Sequence, residues 1–259
     1  MIKVVLLDVL EHEIIDKSLA VPNVVSVPHM QSVDFIKPEV LSVAWTQFTP
    51  SEFPYVKAVI NRSHSRDHIS PECSAAGVIV KHIGDYCSDE IASYVLQRIA
   101  ESRVERTIPV VVGIGRIGAK VLEGCREAYS VAIPLHHNST EQEVERAFRQ
   151  ATHISLNMQL TSESRMWLSK SKLEFCKDVV VVNTASPKLM DIKAILRSLD
   201  NGEVRHIYLD ERDPAIRSNK KATCTAHVAY KSERGALRRD ELTERAILEV
   251  LDELCTRTG

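Results

Sequence analysis

Glycine and proline are scarce in this chain, nine and ten of 259 residues, and aromatic residues make up only 5%. So few punctuating residues exclude a collagen-like or low-complexity chain. Long hydrophobic runs are missing too. The longest apolar stretch, around residues 108–114, is interrupted by Gly113, far short of the roughly 20 residues a spanning helix needs. Nor is there an excess of charge: 33 Lys and Arg against 35 Asp and Glu leave a formal net charge of −2. No global field draws such a chain to nucleic acid or to an anionic membrane, and neither is expected as a partner. The six cysteines, Cys73, Cys87, Cys125, Cys176, Cys224 and Cys255, stand 14 to 51 residues apart without a C-x-x-C pair. That spacing offers no zinc motif and argues against a disulfide scaffold, so free thiols and a cytoplasmic location are expected. Among the ten histidines only His136 and His137 are adjacent, and no H-x-x-x-H falls on a plausible helix, so no metal site is expected. Residues 1–10 read as a first buried strand and not as a signal peptide, which needs a longer uncharged core.

What is present is a rhythm. Residues 3–7, 41–45 and 56–61 are short Val- and Ile-rich runs that read as buried strands. Ser88 is placed to cap a helix on which Ile91, Tyr94, Val95 and Ile99 recur at helical spacing. A polar, charged link at 101–106 marks a domain boundary. Beyond it, strands at 108–112, 130–135, 153–158, 179–183, 204–210 and 222–225 alternate with helices ending near 128, at 141–150, near 171–176 and at 190–199. Strand–helix alternation of this kind predicts an α/β fold, a doubly wound parallel sheet covered on both faces. Residues 239–255 read as a packed C-terminal helix.

At the head of the second region, Gly113-Ile114-Gly115-Arg116-Ile117-Gly118 is a G-x-G-x-x-G run between a Val-rich strand and a helix, the context that motif requires. The first glycine permits a tight turn and the second lets a pyrophosphate approach the backbone. The third lets helix and strand pack closely, with phosphate at the helix N-terminus. Gly113, Gly115, Arg116, Ile117 and Gly118 are therefore candidate cofactor-binding residues; without a ligand, the same run would be only a glycine-rich turn. The acidic residue that usually binds a ribose 2′-hydroxyl lies about 20 residues on, yet His136 stands there, followed by His137, and no Asp or Glu occurs between Ala128 and Thr140. The missing carboxylate makes NADP at least as plausible as NAD. No Arg or Lys stands there to clamp a 2′-phosphate.

Six ordered segments now carry a resemblance. They are 58–69, 86–92, 111–121, 154–165, 183–187 and 225–229, and together they resemble the D-isomer-specific 2-hydroxyacid dehydrogenases from about residue 56 to 251. The resemblance implies a Rossmann-like cofactor domain over 101–228. It also implies a smaller α/β substrate domain formed by 1–100 and completed by 229–259, with the ligand in the cleft. It implies Asn157 and Thr184 as further cofactor contacts and a small anionic substrate such as a 2-oxo acid. In that family an Arg holds the substrate carboxylate, a His exchanges a proton with the hydroxyl, and a Glu pairs with the His. The His carries over as His227. The Arg of N-T-x-R-G is replaced by Ser186, with Pro187 after it, which also suits a plain turn. Glu211 and Asp213 are the candidates to face His227, because the segment 209–214 is two residues shorter than usual. Arg62 and Arg66, in the substrate loop, are the candidates to replace the missing arginine. The stretch that commonly builds the family's dimer is reduced to about residues 100–108, so an oligomer is left open. Two functions follow. One is an NAD(P)-dependent oxidoreductase acting on a small 2-oxo acid or related carbonyl. The other is a catalytically weak or inactive dinucleotide-binding protein, a sensor or an interaction scaffold.

Overall fold

The computed structural model describes residues 2–8, 23–27, 30–63 and 68–258. They form two compact units, one of residues 1–87 with 232–259 and the other of residues 88–231.

The first unit holds a five-stranded parallel sheet in the order β2-β1-β3-β4-β5. Its strands are β1 (Val4–Leu6), β2 (Val24–Ser26), β3 (Val40–Val43), β4 (Ala58–Asn61) and β5 (Ile79–His82), and a short helix, α1 (Met30–Ile36), precedes β3. The strands read from the sequence at 3–7, 41–45 and 56–61 are β1, β3 and β4, the three at the centre of the sheet. The two edge strands were not legible, because each is very short and half-exposed: β2 shows no buried residue and β5 only Ile79. Alternate residues of the central strands, Val5 and Leu7, Leu41 and Val43, and Val59, enter one core with Phe48, Phe53 and Val56. The long C-terminal helix α8 (Glu233–Thr258) packs on β4 and β5.

The second unit is doubly wound. Its six parallel strands run β11-β10-β9-β8-β6-β7, namely β6 (Pro109–Val112), β7 (Ile133–Leu135), β8 (His153–Leu156), β9 (Val179–Asn183), β10 (Val204–Leu209) and β11 (Ala222–Cys224). Helices α2 (Ser88–Glu101) and α3 (Arg116–Ala128) belong to one face; α4 (Glu141–Phe148), α5 (Lys170–Leu173) and α6 (Ile192–Asn201) belong to the other. A short α7 (Pro214–Arg217) precedes β11.

Two-sided burial explains the four consecutive valines of β9: Val179 and Val181 enter the α4–α6 core, while Val180 and Val182 enter the α2–α3 core. Each such side chain removed from water contributes about 1.5–3 kcal/mol. Helix α2, assigned from the sequence to the first domain, lies in the second unit. Leu96 on α2 presses against Gly124 of α3 so closely that a Cβ on Gly124 would lie 2.4 Å from Leu96 Cδ1. No helix among the described residues is long and apolar enough to cross a membrane.

Candidate dinucleotide site and the His227 loop

The order of the second sheet reverses beside β6, whose neighbours are β7 on one side and β8 on the other. In open parallel sheets ligands sit beyond the carboxyl ends of the strands at such a reversal. Gly113 leaves β6 there with φ +86°, a conformation open to glycine, and an added Cβ would lie 2.7 Å from Met158 Cγ and 2.9 Å from Met158 N. Gly118, one turn into α3, rests on the turn itself: its Cβ would meet Gly113 O at 1.8 Å. Gly115 differs. It caps α3 with φ −81°, is exposed, and an added Cβ would meet nothing within 4 Å. Two glycines thus close the turn, and the third leaves room in front of a helix N-terminus whose side-chain cap is missing. A helix N-terminus favours an anion, through its N–H groups and its dipole.

Asn157, at the end of β8, borders the same turn, with its Cβ 3.3 Å from the space a Gly118 side chain would need. Its Nδ2 donates to Ser155 O and Oγ at 3.3 and 3.0 Å, while its buried Oδ1 has no partner. An orphaned acceptor beside an open helix N-terminus suits a ligand with hydroxyl groups and phosphates. Ile117 is half-buried in the α2–α3 core, Arg116 is exposed at the first turn of α3, and Thr184 is half-buried just beyond β9.

His136 and His137 are exposed on a turn after β7, closed by Ser139 N donating to His136 O at 3.1 Å and His136 N donating to Ser139 Oγ at 3.0 Å. The first carboxylates after it are on α4. Glu143 is engaged in a capping box in which Thr140 N and Oγ1 donate to its Oε2 at 2.7 and 3.0 Å, and Glu143 N donates to Thr140 Oγ1 at 3.2 Å. The bonds from Thr140, helped by the nearby His136, hold the Glu143 carboxyl below its usual range.

His227 is exposed in the loop after β11 and adopts φ +54°, unusual for a residue with a side chain. Its ring tilts against Tyr230 at 5.5 Å. No hydrogen bond or ion pair among the described residues links that ring to Glu211 or Asp213. Asp213 instead caps α7, accepting from Ala215 N and Ile216 N at 2.9 and 3.1 Å, and Glu211 is exposed. Sequence reading passed over the residue next to them. Asp210, 2% exposed at the end of β10, accepts from Thr225 Oγ1 at 2.5 Å, Val228 N at 2.7 Å and Ala229 N at 2.8 Å. Its signal was position, a carboxylate on the last turn out of a buried strand. Asp8, at the end of β1 in the first unit, does the same for Ala44 N, Trp45 N and Thr46 N at 2.8–2.9 Å.

The residues expected to bind a substrate carboxylate are placed otherwise. Ser186 Oγ accepts from Lys188 N at 3.3 Å and caps a 3-10 turn, Pro187–Leu189. Arg62 is only 1% exposed, and its guanidinium donates to Leu7 O inside the first unit. Arg66 lies outside the described residues.

Residues 92–229 match the model of the D-isomer specific 2-hydroxyacid dehydrogenase, NAD binding domain. A glyoxylate reductase of Aeropyrum pernix is 28% identical over 118 residues, covering 40% of this chain and 35% of that protein. The chain thus aligns with about a third of that relative's length. Among solved structures, D-lactate dehydrogenase from Aquifex aeolicus, complexed with NAD and lactic acid, superposes with a TM-score of 0.74 at 20% identity, over 97% of this chain and 96% of that one. An acyclic imino acid reductase in complex with NADPH and D-Arg gives 0.75 at 18%, over 96% and 97%. At such identities these structures speak for the fold. The family model spans more than half of the chain and covers the glycine turn, Asn157, Asp210 and His227, and the chain belongs to the D-isomer specific 2-hydroxyacid dehydrogenase family.

Proposed function

We propose that this protein is an NAD(P)-dependent oxidoreductase that reduces a small 2-oxo acid or a related carbonyl. The observation that carries the reading is the turn at the sheet reversal, where Gly113 and Gly118 are sterically obligatory while Gly115 faces open space. A dinucleotide placed there supplies the hydride. The chain's part would be to hold its pyrophosphate on the N-terminus of α3, to accept from its hydroxyl groups at Asn157 Oδ1, and to deliver a proton from His227 to the carbonyl oxygen as negative charge builds on it. The second unit is read as the cofactor domain and the first as the substrate domain. The positive charge for an anionic substrate is assigned to Arg62 or Arg66. The Arg62 guanidinium is buried and donates to the Leu7 carbonyl.

A second reading is supported by that same engagement of Arg62, by Ser186 capping its own turn and by Asp213 capping α7. Losing a group that stabilises oxyanion charge costs about 10²- to 10³-fold in rate, which would leave a dinucleotide-binding protein with little turnover. One experiment separates the two. A panel of 2-oxo acids, glyoxylate included, is assayed with NADH and NADPH on wild type, Arg62→Ala, Arg66→Ala and His227→Asn. An enzyme shows wild-type turnover, with kcat/KM cut by roughly 10²-fold or more in His227→Asn and in one arginine variant. Dinucleotide binding without turnover on any acid decides for the second reading.

A further inference from the structure

We infer that Lys231 binds the carboxylate of the substrate, in place of the arginine that Ser186 replaces. The inference rests on the reading of this protein as a reductase of 2-oxo acids and adds a residue which that reading does not contain. A 2-oxo acid carries its carboxylate directly beside the carbonyl, so the charge that holds it must lie in the neighbourhood of the proton donor. Ser186 brings no charge, and its hydroxyl caps its own turn. The loop that carries His227 does bring one. Its imidazole and the Lys231 ammonium share one aromatic ring: the imidazole lies 5.5 Å from the Tyr230 ring, and the ammonium 6.0 Å from the centre of that ring.

The backbone holds this grouping together. Lys231 N donates to Val228 O at 2.9 Å, which closes a turn over residues 228–231 and keeps the lysine beside the ring. Strands β9, β10 and β11 are neighbours in the sheet, so at about 4.8 Å per strand the loops bearing Ser186 and His227 leave it about 10 Å apart. Lys231 is exposed, and no carboxylate among the described residues pairs with it. Its ring contact lies at the outer limit, about 6 Å, for a cation over an aromatic face. An ammonium on a flexible stem offers three rotatable donors, and a carboxylate accepts from them without the fixed fork of a guanidinium. Lys188, two residues past Ser186, is exposed as well. No hydrogen bond, ion pair or ring contact ties its ammonium to the His227 loop among the described residues.

The test uses the full chain and compares Lys231→Met with Lys231→Arg, which keeps the charge, and with Lys188→Met. Lys231 is exposed, so its truncation leaves the fold in place. Three quantities are read: NADH affinity by fluorescence, kcat/KM for pyruvate and for its uncharged methyl ester, and the affinity of the NADH complex for oxamate, an unreactive anion of pyruvate's shape. In Lys231→Met, NADH affinity is expected within about threefold of wild type, while kcat/KM for pyruvate and oxamate affinity each fall about tenfold or more. Methyl pyruvate, which has no carboxylate, loses less than about threefold. Lys231→Arg restores most of the activity on pyruvate, and Lys188→Met stays near wild type. Four results overturn the inference and leave the reductase reading standing: equal losses on pyruvate and its ester, a parallel loss of NADH affinity, the loss appearing in Lys188→Met instead, or unchanged pyruvate and oxamate values in Lys231→Met. If wild type reduces no acid but binds oxamate through Lys231, the reductase reading fails and the inference stands. If it binds no oxamate either, both fail.

Discussion

A single Cβ atom separates the roles of the glycines in G-x-G-x-x-G. Adding one at Gly118 drives it into the carbonyl of Gly113, a backbone atom that cannot swing aside. Gly118→Ala is therefore expected to cost about 1–3 kcal/mol or more, read by urea denaturation, because overpacking displaces backbone. Gly115→Ala meets no protein atom and should stay within about 0.5 kcal/mol of wild type. Gly115→Val should abolish NADH binding in calorimetry, because its side chain fills the space left for pyrophosphate. Equal affinity in Gly115→Val would refute dinucleotide binding at this turn. His153 makes a second prediction at this scale. It is fully buried between Ser102 and Thr152, and burial pushes its pKa down to about 4. With the folded value below the unfolded one, near 6.5, the unfolded chain takes up the proton first. Stability is thus full above about pH 6.5 and falls as pH drops toward 4, by roughly 3 kcal/mol in all. His153→Gln should flatten that slope in denaturation series between pH 7 and 4; an unchanged slope would assign the acid sensitivity to other groups.

Secondary-structure elements were legible where local chemistry and burial agreed. Thr140 was readable as a cap before α4, and the structure adds the reciprocal bond that completes a capping box. Removing it in Thr140→Ala should cost about 1 kcal/mol by thermal or chemical unfolding, with the His136–Ser139 turn loosened alongside. That turn also bears on cofactor choice. With His136 exposed and Glu143 held by Thr140, nothing equivalent to a ribose-binding carboxylate stands on it. NADPH should bind at least as well as NADH, and His136→Asp should shift the ratio of the two affinities toward NADH, since a carboxylate accepts from a 2′-hydroxyl and repels a 2′-phosphate. A clear NADH preference in wild type would contradict this. Strands β2 and β5 show the converse: three- and four-residue edge strands with half-exposed side chains carry no period to detect.

For the whole molecule, two compact units with separate cores predict two unfolding transitions in calorimetry, each two-state by itself. A dinucleotide bound at the glycine turn should raise the transition of residues 88–231. At a hundred times its Kd the gain is about 2.7 kcal/mol. The transition of the first unit should respond less, and Gly115→Val should remove the response. A shift confined to the first unit would mean that the ligand binds elsewhere.

The sequence alone determined the α/β class, the strand–helix order of the second unit and the nucleotide turn, because each depends on periodicity or on glycine chemistry that is local in the chain. The family resemblance was legible for the same reason, as short motifs in order. Tertiary structure decided which polar groups are available to do chemistry. Arg62 was a candidate to meet an anionic substrate and is a buried donor to Leu7; Asp213 was a candidate partner for His227 and is a helix cap. Asp210 was one of several acids in a charged segment until the fold brought the ends of β10 and β11 together and placed three donors around it. The physical reason is that a hydrogen bond between residues 15 to 19 positions apart is written in no local pattern. It appears only once the strands that carry its two ends are paired.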